Sequence, residues 1–280
     1  MKPFRVTLLL ATLSVVAAVS LLALLAASAV EAKPVKCASD QVPVGPTCVD
    51  KYENSVWSIP AANTGLIKRV QDGRATFADL TAGGAVQVSP STRKPEDCSP
   101  FPDTFPPTGS WTAPLYAASI AGVLPTACVT WFQAEQACRL SGKRLPTSQE
   151  WQATAAGTPD PDSGVDDGTT ECNISVSAAG GPVNTGSRSA CVSNWGAFDM
   201  PGNVWEWVAD WVPPNPDGSC ADPLFNGDYN CLAGAKQAAG TAALTRGGDW
   251  GSGTKAGIFA VGGNTVPSHG FFVVGFRCAR

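Results

Sequence analysis

The stretch from Asp199 to Trp211 holds three tryptophans and three carboxylates, too much indole and charge for one side of an ordinary strand, and its residues sort into two faces with a period of two. This pattern predicts a β-strand with two unlike faces. One face carries Val204, Glu206 and Val208, and the other carries Trp205, Trp207 and Ala209. Glu206 is then a carboxylate among apolar neighbours, where an unpaired charge is strongly destabilising. Because few cationic residues lie nearby in the sequence, a bound metal is the partner we expect.

Two helices with capping signals are predicted before this strand. Thr130 and Gln133 form a capping box at the start of an apolar stripe. Thr147 and Glu150 form a second box and open another helix. Trp151, in the second helix, is expected to pack against the first.

Loops and short strands are predicted elsewhere, because the chain holds 29 glycines and 23 prolines. The run from Cys48 to Ile59 alternates as a strand, with Asp50 and Glu53 expected at a solvated edge. Residues 60–88 predict no clear element. Seven prolines between residues 89 and 114 predict a surface loop. The apolar run at residues 270–280 predicts a core strand.

Residues 1–32 are predicted to be a secretory signal. Lys2 and Arg5 precede a long apolar run that ends in small residues, with cleavage near Ala29 or Ala32. The run is also long enough for an uncleaved anchor. Residues 33–280 then form a single exported domain, which places the protein in the periplasm, at the cell surface or outside the cell. The net charge of −4 and the lack of a basic patch exclude a nucleic-acid partner, and no membrane partner is expected after cleavage.

Ten cysteines, all beyond the signal, predict up to five disulfides in an exported chain. Their spacing suggests three local pairs, Cys37 with Cys48, Cys172 with Cys191 and Cys220 with Cys231. The remaining connectivity stays open at this point. The absence of a Cys-x-x-Cys motif and the single histidine, His269, argue against a zinc site.

Four motifs occur in an order that resembles one known family. They are the segment from Cys138 to Trp151 with Gly-Lys-Arg-Leu-Pro-Thr, the segment Phe198–Trp207, Arg246-Gly-Gly-Asp-Trp, and Gly275-Phe-Arg-Cys-Ala. Together they resemble the sulfatase-modifying factor family, which contains the formylglycine-generating enzymes. The resemblance implies an α+β, loop-rich variant of the C-type lectin fold, with two helices, small antiparallel sheets and disulfide bonds.

The resemblance also implies specific structural residues. The family joins the cysteine of the first helix to that of the terminal Gly-Phe-Arg-Cys, which implies a disulfide between Cys138 and Cys278. The family binds structural calcium at the tryptophan-rich stretch through two side chains and two backbone carbonyls. Carried onto this chain, the ligands are Asp199, Gly202, Val204 and Glu206, an all-oxygen set of the kind calcium prefers.

The catalytic positions depart from the family pattern. Active relatives bind copper through two cysteines downstream of Arg-Gly-Gly-Ser and oxidise a sulfatase cysteine to formylglycine. Here Asp249 replaces the serine of that motif, and Ser252 and Gly257 stand at the two cysteine positions. Copper(I) prefers soft sulfur ligands. Copper and formylglycine-generating activity are therefore not expected.

Two functional hypotheses follow. The first is a binding or scaffold domain whose pocket, near the former active site, takes a peptide, a glycan or another envelope protein. Its candidate pocket residues are Trp205, Arg246, Asp249, Trp250 and Ser252. The alternative is an enzyme of the same family with changed oxidative or maturation chemistry, in which Asp249 and His269 form an acid–base pair. A third possibility is copper bound by a different pair of cysteines.

Overall fold

A computed structural model describes residues 35–92, 115–160, 164–177, 179–220 and 227–280. The predicted signal segment and most of the predicted proline-rich loop lie outside these ranges. None of the described helices is both long and apolar enough to cross a bilayer.

Four α-helices are present in the described ranges, two more than predicted. Two of them carry the predicted capping boxes, at Thr130 with Gln133 and at Thr147 with Glu150. The other two lie in residues 60–88, where the sequence predicted nothing, because each is short and buries only one or two apolar side chains. The helices are α1 (Thr64–Gln71), α2 (Phe77–Ala82), α3 (Trp131–Leu140) and α4 (Ser148–Ala155).

In the part of the chain that the structure describes, ten short strands form three sheets. The strands are β1 (Gln41–Val44), β2 (Thr47–Asp50), β3 (Ser55–Ser58), β4 (Val86–Val88), β5 (Leu115–Ala118), β6 (Trp205–Val212), β7 (Asn230–Cys231), β8 (Ala242–Arg246), β9 (Val261–Thr265) and β10 (Val274–Phe276). β1 and β2 form a hairpin, and β4-β3-β5 form an antiparallel sheet. The largest sheet has the order β10-β6-β8-β9-β7 and carries the candidate sites. β10 runs parallel to β6, so the end of the chain lies beside the tryptophan-rich strand.

Helices α3 and α4 cover opposite faces of the largest sheet. Ala134 and Ala137 of α3 share a core cluster with Trp207. Trp151 of α4 belongs to a different cluster, with Val208. The expected packing of Trp151 against the first helix is therefore wrong, because the sheet separates the two helices.

Disulfides tie the loops to this framework. The three predicted local pairs are present, with sequence separations of 11, 19 and 11 residues. A fourth bond joins Cys138 of α3 to Cys278, closing a loop of 140 residues between the helix and the strand that pairs with β6. No cysteine in the described ranges is free.

Candidate functional site

The two faces of β6 are those that the period-two pattern predicted. Trp207 is fully buried beside α3, and its indole nitrogen donates to the Val129 carbonyl at 3.0 Å. Val208 points to the opposite face and packs with Trp151. Glu206 shares that second face, so its carboxylate is enclosed under α4.

The partner of buried Glu206 within the protein is Arg277. Its Nη2 and Nε atoms lie 2.6 and 2.7 Å from the two carboxylate oxygens of Glu206. The indole Nε1 of Trp151 donates to the same carboxylate at 2.7 Å. A metal was expected as the partner of Glu206 because few cationic residues lie nearby in the sequence, but parallel pairing of β10 with β6 brings Arg277, 71 positions away, alongside. A single arginine inside an apolar strand was the overlooked signal.

Glu53 and Asp50 are both completely buried, which corrects the predicted solvated edge. Asp50 pairs with buried Lys143 at 2.7 Å. Glu53 accepts hydrogen bonds from the Val204 amide at 3.1 Å and from the Asn203 side chain at 2.5 Å. The alternating run did form strands β2 and β3, but Glu53 lies in the turn between them, where a strand-face argument does not apply.

A surplus of negative charge surrounds Arg277. Glu53, Asp199 and Glu206 all interact electrostatically with this one guanidinium, and Arg188 also acts on Asp199. Burial raises the pKa of Asp199 to about 7, against a hydrogen bond from the Gly186 amide at 2.7 Å that lowers it. Burial and the two neighbouring carboxylates hold the pKa of Glu53 well above its usual range. Such a buried cluster favours the uptake of positive charge, either as protons on the carboxylates or as a bound cation.

The residues that the family resemblance assigns to calcium fit that ion in chemistry. In the described ranges, no three acidic, cysteine or histidine side chains converge as a metal site, so backbone carbonyls must supply part of the ligand set. Gly202 adopts φ +83°, and a Cβ there would lie 2.3 Å from the Asn173 carbonyl oxygen. Only glycine fits this turn. Asp199, three residues earlier, also has a positive φ, +57°. The carboxylates of Asp199 and Glu206 and the carbonyls of Gly202 and Val204 would supply an all-oxygen donor set, in which both oxygens of Glu206 already accept hydrogen bonds from Arg277 and Trp151.

Trp205 and Ser252 line a cavity of about 290 Å³ on the α3 face of the sheet. The ring of Tyr229 meets Trp205 edge-on, with ring centroids 6.0 Å apart. Lys255 is the charged residue in the lining, and Phe271 forms part of the wall. The cavity combines aromatic surface with hydroxyl and amide groups, as small-molecule sites do. Tyr229 was missed because the sequence around it predicted only a loop.

Asp249 and Trp250 are not among the residues that line this cavity. The Asp249 amide donates to the Ser252 hydroxyl at 3.0 Å, and its carboxylate accepts from the Gly251 amide at 2.7 Å. Burial raises the pKa of Asp249, and hydrogen bonds from Gly251, Ser252 and Trp205 oppose that rise. Trp250 packs edge-on against Phe272. These contacts give Asp249 a role in holding the Ser252 loop.

Gly257 stands against the buried carboxylate of Asp228. A Cβ at position 257 would lie 2.1 Å from Asp228 Oδ1. Asp228 is held in place because its Oδ2 accepts from the Phe259 amide at 2.8 Å, and burial raises its pKa to about 7. The space that a cysteine side chain would need at this position is therefore filled by another residue, which no motif had indicated.

Arg246 lies on the other face of the sheet. β8 alternates, so Thr245 faces the Trp205 cavity while Leu244 and Arg246 face α4. The guanidinium stacks on the Trp151 ring, 4.8 Å from its centroid. Among the described residues Arg246 makes no ion pair with Asp249. The five candidate pocket residues thus divide between two sheet faces.

His269 is exposed and packs edge-on against Phe271. Asp249 is mostly buried and hydrogen-bonded within its own loop. The described structure shows no contact between these two side chains, so it offers no support for an acid–base pair.

Comparison with known proteins assigns the chain to a family. The family described as the Sulfatase-modifying factor enzyme 1-like domain matches residues 107–280. The chain is similar to hercynine oxygenase of Mycolicibacterium smegmatis, with 31% identity over 155 residues, which cover 49% of this chain and 36% of that protein. The chain therefore spans little more than a third of the length of this relative.

Two further relatives carry names from formylglycine chemistry. The formylglycine-generating enzyme of Streptomyces coelicolor is 29% identical over 140 residues, which cover 38% of this chain and 42% of that protein. A mouse protein named inactive C-alpha-formylglycine-generating enzyme 2 is 28% identical over 158 residues, which cover 45% of this chain and 47% of that protein. The relatives thus include proteins named as enzymes and one named as inactive.

Proposed function

Because the chain belongs to the Sulfatase-modifying factor enzyme 1-like family, we propose that it is an exported, calcium-stabilised member without formylglycine-generating activity that serves as a binding or scaffold module. Its fold is the loop-rich, C-type-lectin-like α+β fold of that family, with four helices in the described ranges and four disulfides between described cysteines. These disulfides are compatible with export to an oxidising compartment.

The main observation behind the proposal is that neither of the two copper-binding cysteine positions holds a cysteine. Ser252 offers a hydroxyl, and Gly257 offers no side chain and faces the Asp228 carboxylate. Neither group replaces the soft sulfur ligands that copper(I) prefers. No described cysteine is free to take their place. The mouse relative, which is named as inactive, supports loss of this activity within the family.

The cavity beside Trp205 and Ser252 is the proposed ligand site. Its volume of about 290 Å³ is at the lower end of the range of about 300–1,000 Å³ for ligand pockets. A single side chain of a peptide or envelope protein, or one sugar ring of a glycan, matches this size. Asp249 holds the Ser252 loop through hydrogen bonds, whereas Arg246 lies on the opposite face of the sheet.

A sulfatase peptide with its target cysteine tests the lost activity. The protein is incubated with this peptide, oxygen and copper, and aldehyde formation is followed by mass spectrometry. The Streptomyces coelicolor enzyme serves as the positive control. We expect no aldehyde from this chain, and a peptide converted at a rate comparable to the control would refute the proposal.

Calcium binding is tested by thermal unfolding in excess calcium and in excess chelator. A ligand at 100 times its Kd stabilises a protein by about 2.7 kcal/mol, which corresponds to a Tm difference of about 5–10 °C at this size. The Asp199→Asn variant should lose most of this difference, and magnesium should not reproduce it. Equal melting temperatures with and without calcium would remove calcium from the proposal.

The ligand site is tested by capture of partners from the producing organism's envelope or culture fluid. Ser252→Trp fills the cavity and should abolish capture of any specific partner. Trp211→Ala removes an exposed tryptophan on another surface and should leave capture unchanged. Equal capture by both variants would place the binding surface elsewhere.

A further inference from the structure

A second cavity, of about 410 Å³, lies on the α4 face of the large sheet, opposite the Trp205 cavity. The two cavities share strands β8 and β9 but use alternate residues of each, so they open on different sides. The main lining residues of the second cavity are Ser148, Gln152, Asn230, Leu232, Arg246 and Phe259. Among the described residues that line this cavity, Arg246 is the only charged one.

Arg246 is a buried cation with incomplete pairing. Only 5% of the residue is exposed. Its Nη2 donates to the Ile258 carbonyl at 3.1 Å and to the Gln152 side chain, while its buried Nε has no hydrogen-bond partner. In the described ranges no carboxylate lies within 4 Å of the guanidinium. Stacking on Trp151 offsets part of the desolvation cost, but it supplies no hydrogen-bond acceptor.

Asp210 and Asp228 act electrostatically on Arg246, and each accepts a backbone hydrogen bond elsewhere, although Oδ1 of Asp228 has no hydrogen-bond partner. Asp210 accepts a hydrogen bond from the Ser148 amide at 2.5 Å. Asp228 accepts from the Phe259 amide. Burial lowers the pKa of Arg246 to about 10, against the effect of these two carboxylates. The guanidinium thus stays charged at neutral pH and has donor capacity left for an acceptor in the cavity.

We infer that this cavity binds a small monocarboxylate ligand with a short apolar tail, separately from the Trp205 cavity. Because Nη2 already donates to Gln152 and Ile258, a carboxylate in the cavity accepts a charge-assisted hydrogen bond from the unpaired Nε–H. Asn230 and Ser148 add neutral polar groups, and Leu232 and Phe259 provide an apolar wall. Leu232 is 61% exposed, which leaves an apolar contact available to a ligand. Because one arginine supplies a single positive charge and two acids lie in the vicinity, the cavity favours a monoanion over a phosphate dianion.

The test uses 3-methylbutanoate and its uncharged amide with the full chain. Binding is measured by titration followed by NMR, including the side-chain N–H signal of Arg246. We expect the acid to bind with a Kd in the millimolar range and to shift the Arg246 signal. The amide should bind at least tenfold more weakly. Equal affinities for the acid and the amide, or an unmoved Arg246 signal, would overturn the inference.

Three variants locate the binding. Leu232→Glu adds a negative charge at the exposed rim and should weaken binding of the acid about fivefold, whereas Leu232→Gln, its neutral match, should not. Lys255→Gln removes the cation of the other cavity and should leave the affinity unchanged. The inference fails if Leu232→Glu binds the acid as well as Leu232→Gln, or if Lys255→Gln abolishes binding. These outcomes do not depend on calcium or on the ligand of the Trp205 cavity.

Discussion

Replacing Arg277 with Met should destabilise the protein more than any other single removal of a charged side chain in the described structure. Arg277 is completely buried and makes four hydrogen bonds. Two go to the Glu206 carboxylate at 2.6 and 2.7 Å, and two go to the carbonyls of Asp50 and Phe198 at 3.1 and 2.9 Å. Met fills part of the volume but leaves Glu206 without its ion-pair partner and removes a nearby positive charge from Glu53 and Asp199.

The magnitude follows from these contacts. Breaking a buried ion pair by removing one partner costs about 3–5 kcal/mol. The two lost backbone contacts leave their carbonyl oxygens without this donor, which places Arg277→Met at the upper end of that range, at about 5 kcal/mol. Many domains have a total stability of only about 5–15 kcal/mol. The variant should therefore be close to unfolding.

The assay is urea denaturation followed by far-UV circular dichroism, in excess chelator so that calcium does not contribute. Arg280→Met is a matched control, because Arg280 also donates to backbone carbonyls, of Gly142 and Ser141, but is exposed. Its loss should cost about 0.5 kcal/mol. If Arg277→Met costs less than about 1 kcal/mol with an unchanged m-value, the pair with Glu206 does not balance the charge cluster.

Three further predictions concern pH, disulfides and packing. In chelator, the free energy of unfolding should fall as the pH rises from about 4 to about 7. The reason is that the pKa of Asp199 is about 7 in the folded protein and 3.8 in the unfolded chain, so the folded state holds a proton that it loses over this range. A flat pH profile of stability by urea titration would contradict this. Removing the Cys138–Cys278 bond should lower the free energy of unfolding by about 5 kcal/mol, and removing Cys37–Cys48 should lower it by about 3 kcal/mol. The first bond closes a loop of 140 residues and the second a loop of 11, so the first restricts the unfolded chain more. Equal losses would refute this loop-entropy argument. Gly257→Ala should cost about 1–3 kcal/mol through contact with Asp228, and Asp228→Ala should relieve most of that cost; additive losses in the double variant would show that the two positions do not interact.

Local signals in the sequence determined much of the secondary structure. The capping boxes at Thr130 and Thr147 were both found as predicted, because a cap depends on residues only three positions apart. The alternation in β6 correctly assigned Trp207 and Val208 to opposite faces, because a strand has a fixed period of two. The local disulfides were predictable for the same reason, since neighbouring cysteines have few other partners.

Tertiary structure alone decided how charges and cavities are partnered. Glu206 meets Arg277 only because β10 pairs in parallel with β6, and Glu53 joins them from the other end of the chain. Arg246 belongs to a different sheet face from Ser252, although the two lie six positions apart. Asp228 fills the space beside Gly257 from a loop that has no recognisable pattern. Electrostatic and steric contacts act over a few ångströms in space, and separation along the sequence does not reveal that distance.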